Sequence, residues 1–315
     1  MTTSKLIVMV ALLGVVAPLG AGCGNYSNTD VEFQLALPAR DDLAVNAPSA
    51  LTNADSAEYY RISQNGIRDT NNLIDAITGI INYVRSFPPS ERKLNERIWG
   101  PFPAERDPAF EVRVGIQRTS LSDGPAFLFN YQIEFHRRGD ATAGWFKLII
   151  GQFAPDPGGA RRGSGELQVL LKDARAQGYP VLGWGEIESI DITHQRLDYP
   201  HTVSMAITNV ATAEVPRAEF RYSENADNSG EVSFVFRPRD DLWGIYVQAI
   251  AMRTRWLPSG AGRGDARVTE GLAALSSNGG IDCWGPDTRA TYVRRDWANP
   301  KIEMGDPATC VFPDP

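Results

Sequence analysis

The sequence predicts a mainly β protein: an antiparallel up-and-down barrel or strongly curled sheet with one long amphipathic helix packed against it. Three observations predict this class. From Phe110 to Trp256 apolar residues recur with period two. Turn-rich stretches such as "RRGDATAG", "PDPGGARRGSG" and "ENADNSG" break that pattern at roughly 10–15 residue spacing. A single window, residues 55–87, carries apolar residues at a spacing of three and four instead.

The elements follow in chain order. Lys5 precedes a short apolar run, Leu6 to Ala17, which Pro18 ends. A charged start, an apolar middle and a small-residue exit make the layout of a secretory signal. A dozen apolar residues are too few to cross a bilayer core, which takes roughly 20. The exit reads "LGAGC", with Leu19 four places before Cys23 and Gly20 three before.

This ending resembles the lipobox of bacterial lipoproteins, a resemblance that covers residues 1–23. It implies that residues 1–22 are a signal peptide and that Cys23 becomes the new N-terminus and carries lipid. Two or three acyl chains hold a protein stably at a bilayer, where one chain does not. The implied partner is therefore a membrane, reached through covalent lipid, and the implied location is the bacterial cell envelope. Gly24, rather than Asp, implies the outer membrane rather than the inner. Residues 23–30, continuing "GNYSNTD", then read as the lipidated cysteine and a polar tether.

The chain has three cysteines. With Cys23 assigned to lipid by the resemblance, Cys283 and Cys310 remain as an even pair in an oxidising compartment. Joined, they close the Gly-, Pro- and Asp-rich tail 283–310; the alternative is two free buried thiols. No C-x-x-C or zinc-type spacing occurs.

Residues 31–315 read as a single β-rich domain. "VEFQLALP" alternates Val31, Phe33, Leu35 and Leu37 against polar or small neighbours, which predicts a strand ended by Pro38, and "DDLAVNAP" continues as a second extended piece. The helix at about 55–87 has cap candidates from Thr52 to Asp55, a stop at Pro88 and a break candidate at Gly66. Ile67, Thr70, Ile74, Ile77, Ile81 and Val84 form its stripe, which packs on the sheet or serves as a lid over a cavity.

"FEVRVGIQR" opens the strand series and "LWGIYVQAIAMRTRW" closes it. The clearest strand is "FLFNYQIEFHR", where Phe127, Phe129, Tyr131, Ile133 and Phe135 share one face. Those five either fill the core or line a ligand cavity.

Charge and motifs bound the function. The formal net charge is −7, and −8 once Lys5 leaves with the signal (−7 − 1), which argues against nucleic acid and against a polybasic membrane grip. His136, His194 and His201 are the three histidines, and "HQRLDYPH" sets two of them near Asp191 and Asp198, which read as polar surface residues, with a metal site or acid–base pair as the alternative. No nucleophile elbow, H-E-x-x-H or phosphate loop occurs. Two "RGD" triplets, Arg138–Asp140 and Arg263–Asp265, read as turn composition.

Trp99 and Trp284 each precede Gly-Pro, and Trp184 and Trp243 each precede Gly. They read as corner clamps, Trp284 against the disulfide, with a sugar platform as the functional alternative. Arginine pairs such as Arg253 with Arg255 and Arg294 with Arg295 read as solvated strand edges, or as phosphate contacts.

The reading is a non-enzymatic binding or structural role, with an envelope protein, lipid or polysaccharide as partner. Its rival is a carrier that shelters a lipophilic ligand inside the β domain. An enzyme of unknown type comes third, and nothing in the sequence asks for a cofactor or metal.

Overall fold

The computed structural model describes residues 27–47, 55–105, 107–121, 127–140, 142–156, 162–181, 185–213, 215–237, 249–270 and 279–313, with the side chain of Val84 left out. Cys23, Thr52, Trp184 and Trp243 lie outside the described residues.

Among them, fifteen strands form one antiparallel sheet in strict chain order. They are β1 (Glu91–Lys93), β2 (Glu96–Pro103), β3 (Phe110–Ser120), β4 (Phe127–Arg137), β5 (Phe146–Pro155), β6 (Gly163–Leu170), β7 (Ile187–Gln195), β8 (His201–Asn209), β9 (Arg217–Glu224), β10 (Gly230–Arg237), β11 (Ala249–Trp256), β12 (Gly262–Glu270), β13 (Gly279–Trp284), β14 (Ala290–Arg295) and β15 (Ile302–Gly305).

The up-and-down order is as expected, but the barrel and the strong curl are not. Among the described residues β1 pairs only with β2 and β15 only with β14, so the described sheet is open at both edges. Closure is unnecessary because a helical layer, rather than the sheet itself, covers the apolar face. Both edge strands are short and fully exposed, and β1 is wholly charged, which discourages pairing with another chain.

The helical layer comes from the N-terminal third. The expected strand over "VEFQLALP" is instead a helix, α1 (Asn28–Leu35). Ser27 and Asp30 make a reciprocal capping box, and Asp30 and Phe33 turn inward one helical turn apart. Phe33 meets Phe129 of β4 edge-on at 5.4 Å. Asp30 accepts from Arg92 at 3.0 Å and Arg97 at 2.7 Å. The folded body therefore begins by Ser27, inside the stretch read as tether. A second short helix, α2 (Arg40–Leu43), replaces part of the extended piece and is tied to the next helix by Arg40–Asp75 at 2.6 Å.

The long helix, α3 (Glu58–Arg85), has 28 residues, about 42 Å of rise. It lies across the strands. At its start the Tyr59 ring covers Gly264 of β12 and Gly280 of β13. Near its end the Tyr83 hydroxyl donates to the Pro103 carbonyl of β2 at 2.9 Å. Gly66 does not break it: the Phe234 ring of β10 seats there, and a Cβ would stand 2.7 Å from that ring. Ile74, Ile77 and Ile81 are wholly buried, in one continuous cluster with Val112, Ile133, Phe129 and Val232. At about 25 cal/mol per Å² such burial is the main stabilising term of the body.

Among the strands outside the expected series, β12 has a specific physical reason for lacking the apolar alternation. β12 carries Gly262 and Gly264 toward the helices because the Trp284 and Tyr59 rings occupy that space. Its inward face therefore reads as glycine rather than as apolar side chains. The triplet Arg263–Asp265 lies in this strand and not in a turn, with Arg263 buried and bonded to Asp265. The tail between the cysteines supplies β14 and β15, and α4 (Leu171–Ala176) follows β6.

Candidate functional site

The sheet has one face under the helices and one open face. The five residues of β4 turn toward the helices. Phe129, Tyr131, Ile133 and Phe135 are buried in the core cluster, and Phe127 packs at its margin beneath Arg118. Beneath α3 the interior is thus filled by side chains along most of its length.

It is not filled beneath the C-terminal half of α3. There Ile80 and Tyr83 stand away from Val112 of β3 and Phe135 of β4, leaving a cleft of about 340 Å³. Tyr179, from the loop after α4, closes its floor, 4.6 Å from the Phe135 ring and 5.2 Å from Phe110. Gly79 and Glu105 stand exposed at its mouth. The walls are aromatic and aliphatic, and among the described lining residues Glu105 is the charged one. A recess with aromatic and aliphatic walls and a few placed polar groups is the usual form of a small-molecule site.

The open face is polar and largely self-satisfied. Across β5 to β7, Gln152 donates to Glu166 at 2.7 Å and Gln168 to Asp191 at 2.6 Å, flooring a trough of about 470 Å³. Farther along, a second trough of about 500 Å³ holds Arg253 paired with Glu231 at 2.5 Å and Arg263 with Asp265 at 2.7 Å. Arg294 pairs with Asp296, and on the helix side Arg295 pairs with Asp282 and Glu58. These arginines are neutralised by carboxylates, so the phosphate reading gains nothing from them.

The C-terminal segment crosses the same face. Cys283 is joined to Cys310, and beyond it the Phe312 carbonyl accepts from Arg263 at 3.0 Å while its ring lies under Arg255.

The histidines separate. His194 faces inward, buried, over Gly165 and parallel to Phe153, and neither ring nitrogen has a hydrogen-bond partner. Burial pushes its pKa down to about 4, against a weaker opposite pull from Asp42. The expectation of polar surface histidines fails for this residue. His201 stacks on Tyr199 at 4.0 Å, His136 on Trp145 at 5.2 Å, and Asp198 pairs with Arg162. Among the described residues no group of His, Cys, Asp or Glu has the arrangement to hold a metal.

Trp99 and Trp284 are each 1% exposed, so neither offers a sugar platform. Trp284 does not pack on the disulfide, because adjacent strand residues face opposite ways. Trp284 meets Tyr60 on the helix side, and Cys283 meets Ile281 and Tyr292 on the other.

Of the cleft, sequence reasoning named only Phe135 and the helix. Glu105 and Tyr179 escaped it, being distant in sequence from both. Gly79 left a signal: a glycine inside an otherwise amphipathic helix asks for a reason.

No protein-family model matches the chain, and no curated protein or solved structure is significantly similar to it.

Proposed function

We propose that the chain is a bacterial envelope lipoprotein, anchored through Cys23, whose β-rich body has a non-enzymatic binding or structural role. The observation that carries this reading is the Cys283–Cys310 bond. Such a bond fits an oxidising, extracytoplasmic compartment, and it leaves Cys23 as the remaining cysteine of three. That cysteine directly follows a signal-like apolar run. The outer membrane is the proposed site, on Gly24. An envelope protein, lipid or polysaccharide is the proposed class of partner, with the polar open face as the surface that meets it.

The test is fractionation. The parent chain should sediment with membranes and be released by detergent, while Cys23→Ser should move to the soluble fraction. A variant that stays in the pellet as firmly as the parent would overturn the anchor.

A carrier role is the second reading, and the cleft favours it. The ligand would sit under the end of α3 rather than within a hollow sheet.

A further inference from the structure

We propose that the cleft under the C-terminal half of α3 binds an amphiphile with an apolar body and a cationic head, the head lying against Glu105. The inference rests on reading the chain as a carrier and is independent of the anchor.

Size comes first. About 340 Å³ falls in the range of small-ligand sites, roughly 300–1,000 Å³, and would take a short alkyl chain or a ring system. The walls are braced and not free to collapse onto the space. Tyr179 is wedged against Phe110 and Phe135, and Tyr83 lies edge-on to Phe87, which stacks on Phe102 at 4.4 Å. A preformed apolar recess binds without the cost of first opening it.

Polarity comes next. The Tyr83 hydroxyl is already committed to the Pro103 carbonyl. Among the described residues the charged group at the mouth is the Glu105 carboxylate, and none of the described ion pairs engages it. A carboxylate beside apolar walls selects a cation that can leave water with its chain buried. The chain's net charge of −7 adds a long-range attraction of the same sign.

Gly79 is the third observation. Glycine is a poor choice inside a helix, and it needs a packing reason. At Gly66 there is one, since the Phe234 ring seats there; at Gly79 a Cβ would meet nothing within 4 Å. No neighbour demands the glycine. What its missing side chain provides is an open mouth.

The experiment uses the full-length chain carrying Cys23→Ser, so that no covalent acyl chain competes for the probe. N-phenyl-1-naphthylamine fluorescence reports occupancy, with decylamine and decanoate as competitors below their aggregation limits. The expected result is saturable binding, with decylamine displacing the probe at about a tenth of the decanoate concentration at pH 7. Glu105→Gln should bring the two competitors level. Gly79→Leu should abolish probe binding without lowering the melting temperature, because leucine is the better helix former. Gly79→Ala should be stabilised and still bind.

Absence of saturable binding would overturn the proposal, as would undiminished binding by Gly79→Leu. Equal displacement by amine and acid in the parent chain would overturn the assignment to a cationic head. Fractionation of the Cys23→Ser chain reports separately on the anchor.

Discussion

Asp30 has no solvent contact and lies between two guanidinium groups, with Arg97 itself almost wholly buried. Burial works against its charge. The Ser27 N–H and the two arginines outweigh that cost and hold its carboxyl down at about 2. The stability this contributes is present above the ordinary value of 3.8 and lost as pH falls from there toward 2. Asp30→Asn leaves Arg97 buried beside a neutral group and should cost about 3 kcal/mol in urea unfolding. His194 acts in the neighbouring window. Its folded pKa of about 4 lies below the ordinary 6.5, so above pH 6.5 it costs nothing. Between 6.5 and 4 the unfolded chain takes up a proton that the folded one refuses. Stability should then fall by about 1.4 kcal/mol per pH unit, some 3 kcal/mol in all. His194→Phe should flatten that slope and leave the loss below pH 4 intact, as urea midpoints measured from pH 7 to 3 would show.

At the scale of elements, what the sequence revealed depended on where the core-filling atoms sit. β3 to β10 and the end of β11 each bury their own alternate residues, as Val112, Val114 and Ile116 do in β3, and period two exposes them. α3 was legible in the same way through Ile74, Ile77 and Ile81. β12 was not, because its inward positions are glycines filled by the Tyr59 and Trp284 rings, residues far away in sequence. α1 was misread because Phe33 and Leu37 fit both an alternating strand and a helical face. The Ser27–Asp30 capping box would have decided between them. The cleft was hidden for a different reason, since it is a space between elements and no periodicity marks a space. The disulfide was legible, and its worth can be measured. Cys310→Ser opens a loop spanning 27 positions and should cost about 3.5 kcal/mol. It should also release the segment from Asp306 to Pro313, seen as new protease cleavage there before the rest of the chain is cut.

The whole molecule is held across its width by α3. The helix touches β13 at one end and β2 at the other, and the buried cluster runs unbroken from Phe33 to Trp256. Damage at the middle of the helix should therefore be felt everywhere at once. Ile77→Ala removes a wholly buried side chain and should cost about 3 kcal/mol. Circular dichroism in the peptide and aromatic regions should still report one shared, lowered midpoint. Two separate midpoints would mean that the sheet has independent halves.

In a barrel the strand number is locked to tilt and stagger, so adding or deleting a hairpin means rebuilding the ring. A meander with free ends has no such condition. This architecture can gain or lose hairpins at its margins, and what bounds its width is the reach of the crossing helix. Strands beyond that reach need some other fastening, and the described disulfide supplies one at the C-terminal margin by tying the segment after β15 back to β13, the last strand the helix touches.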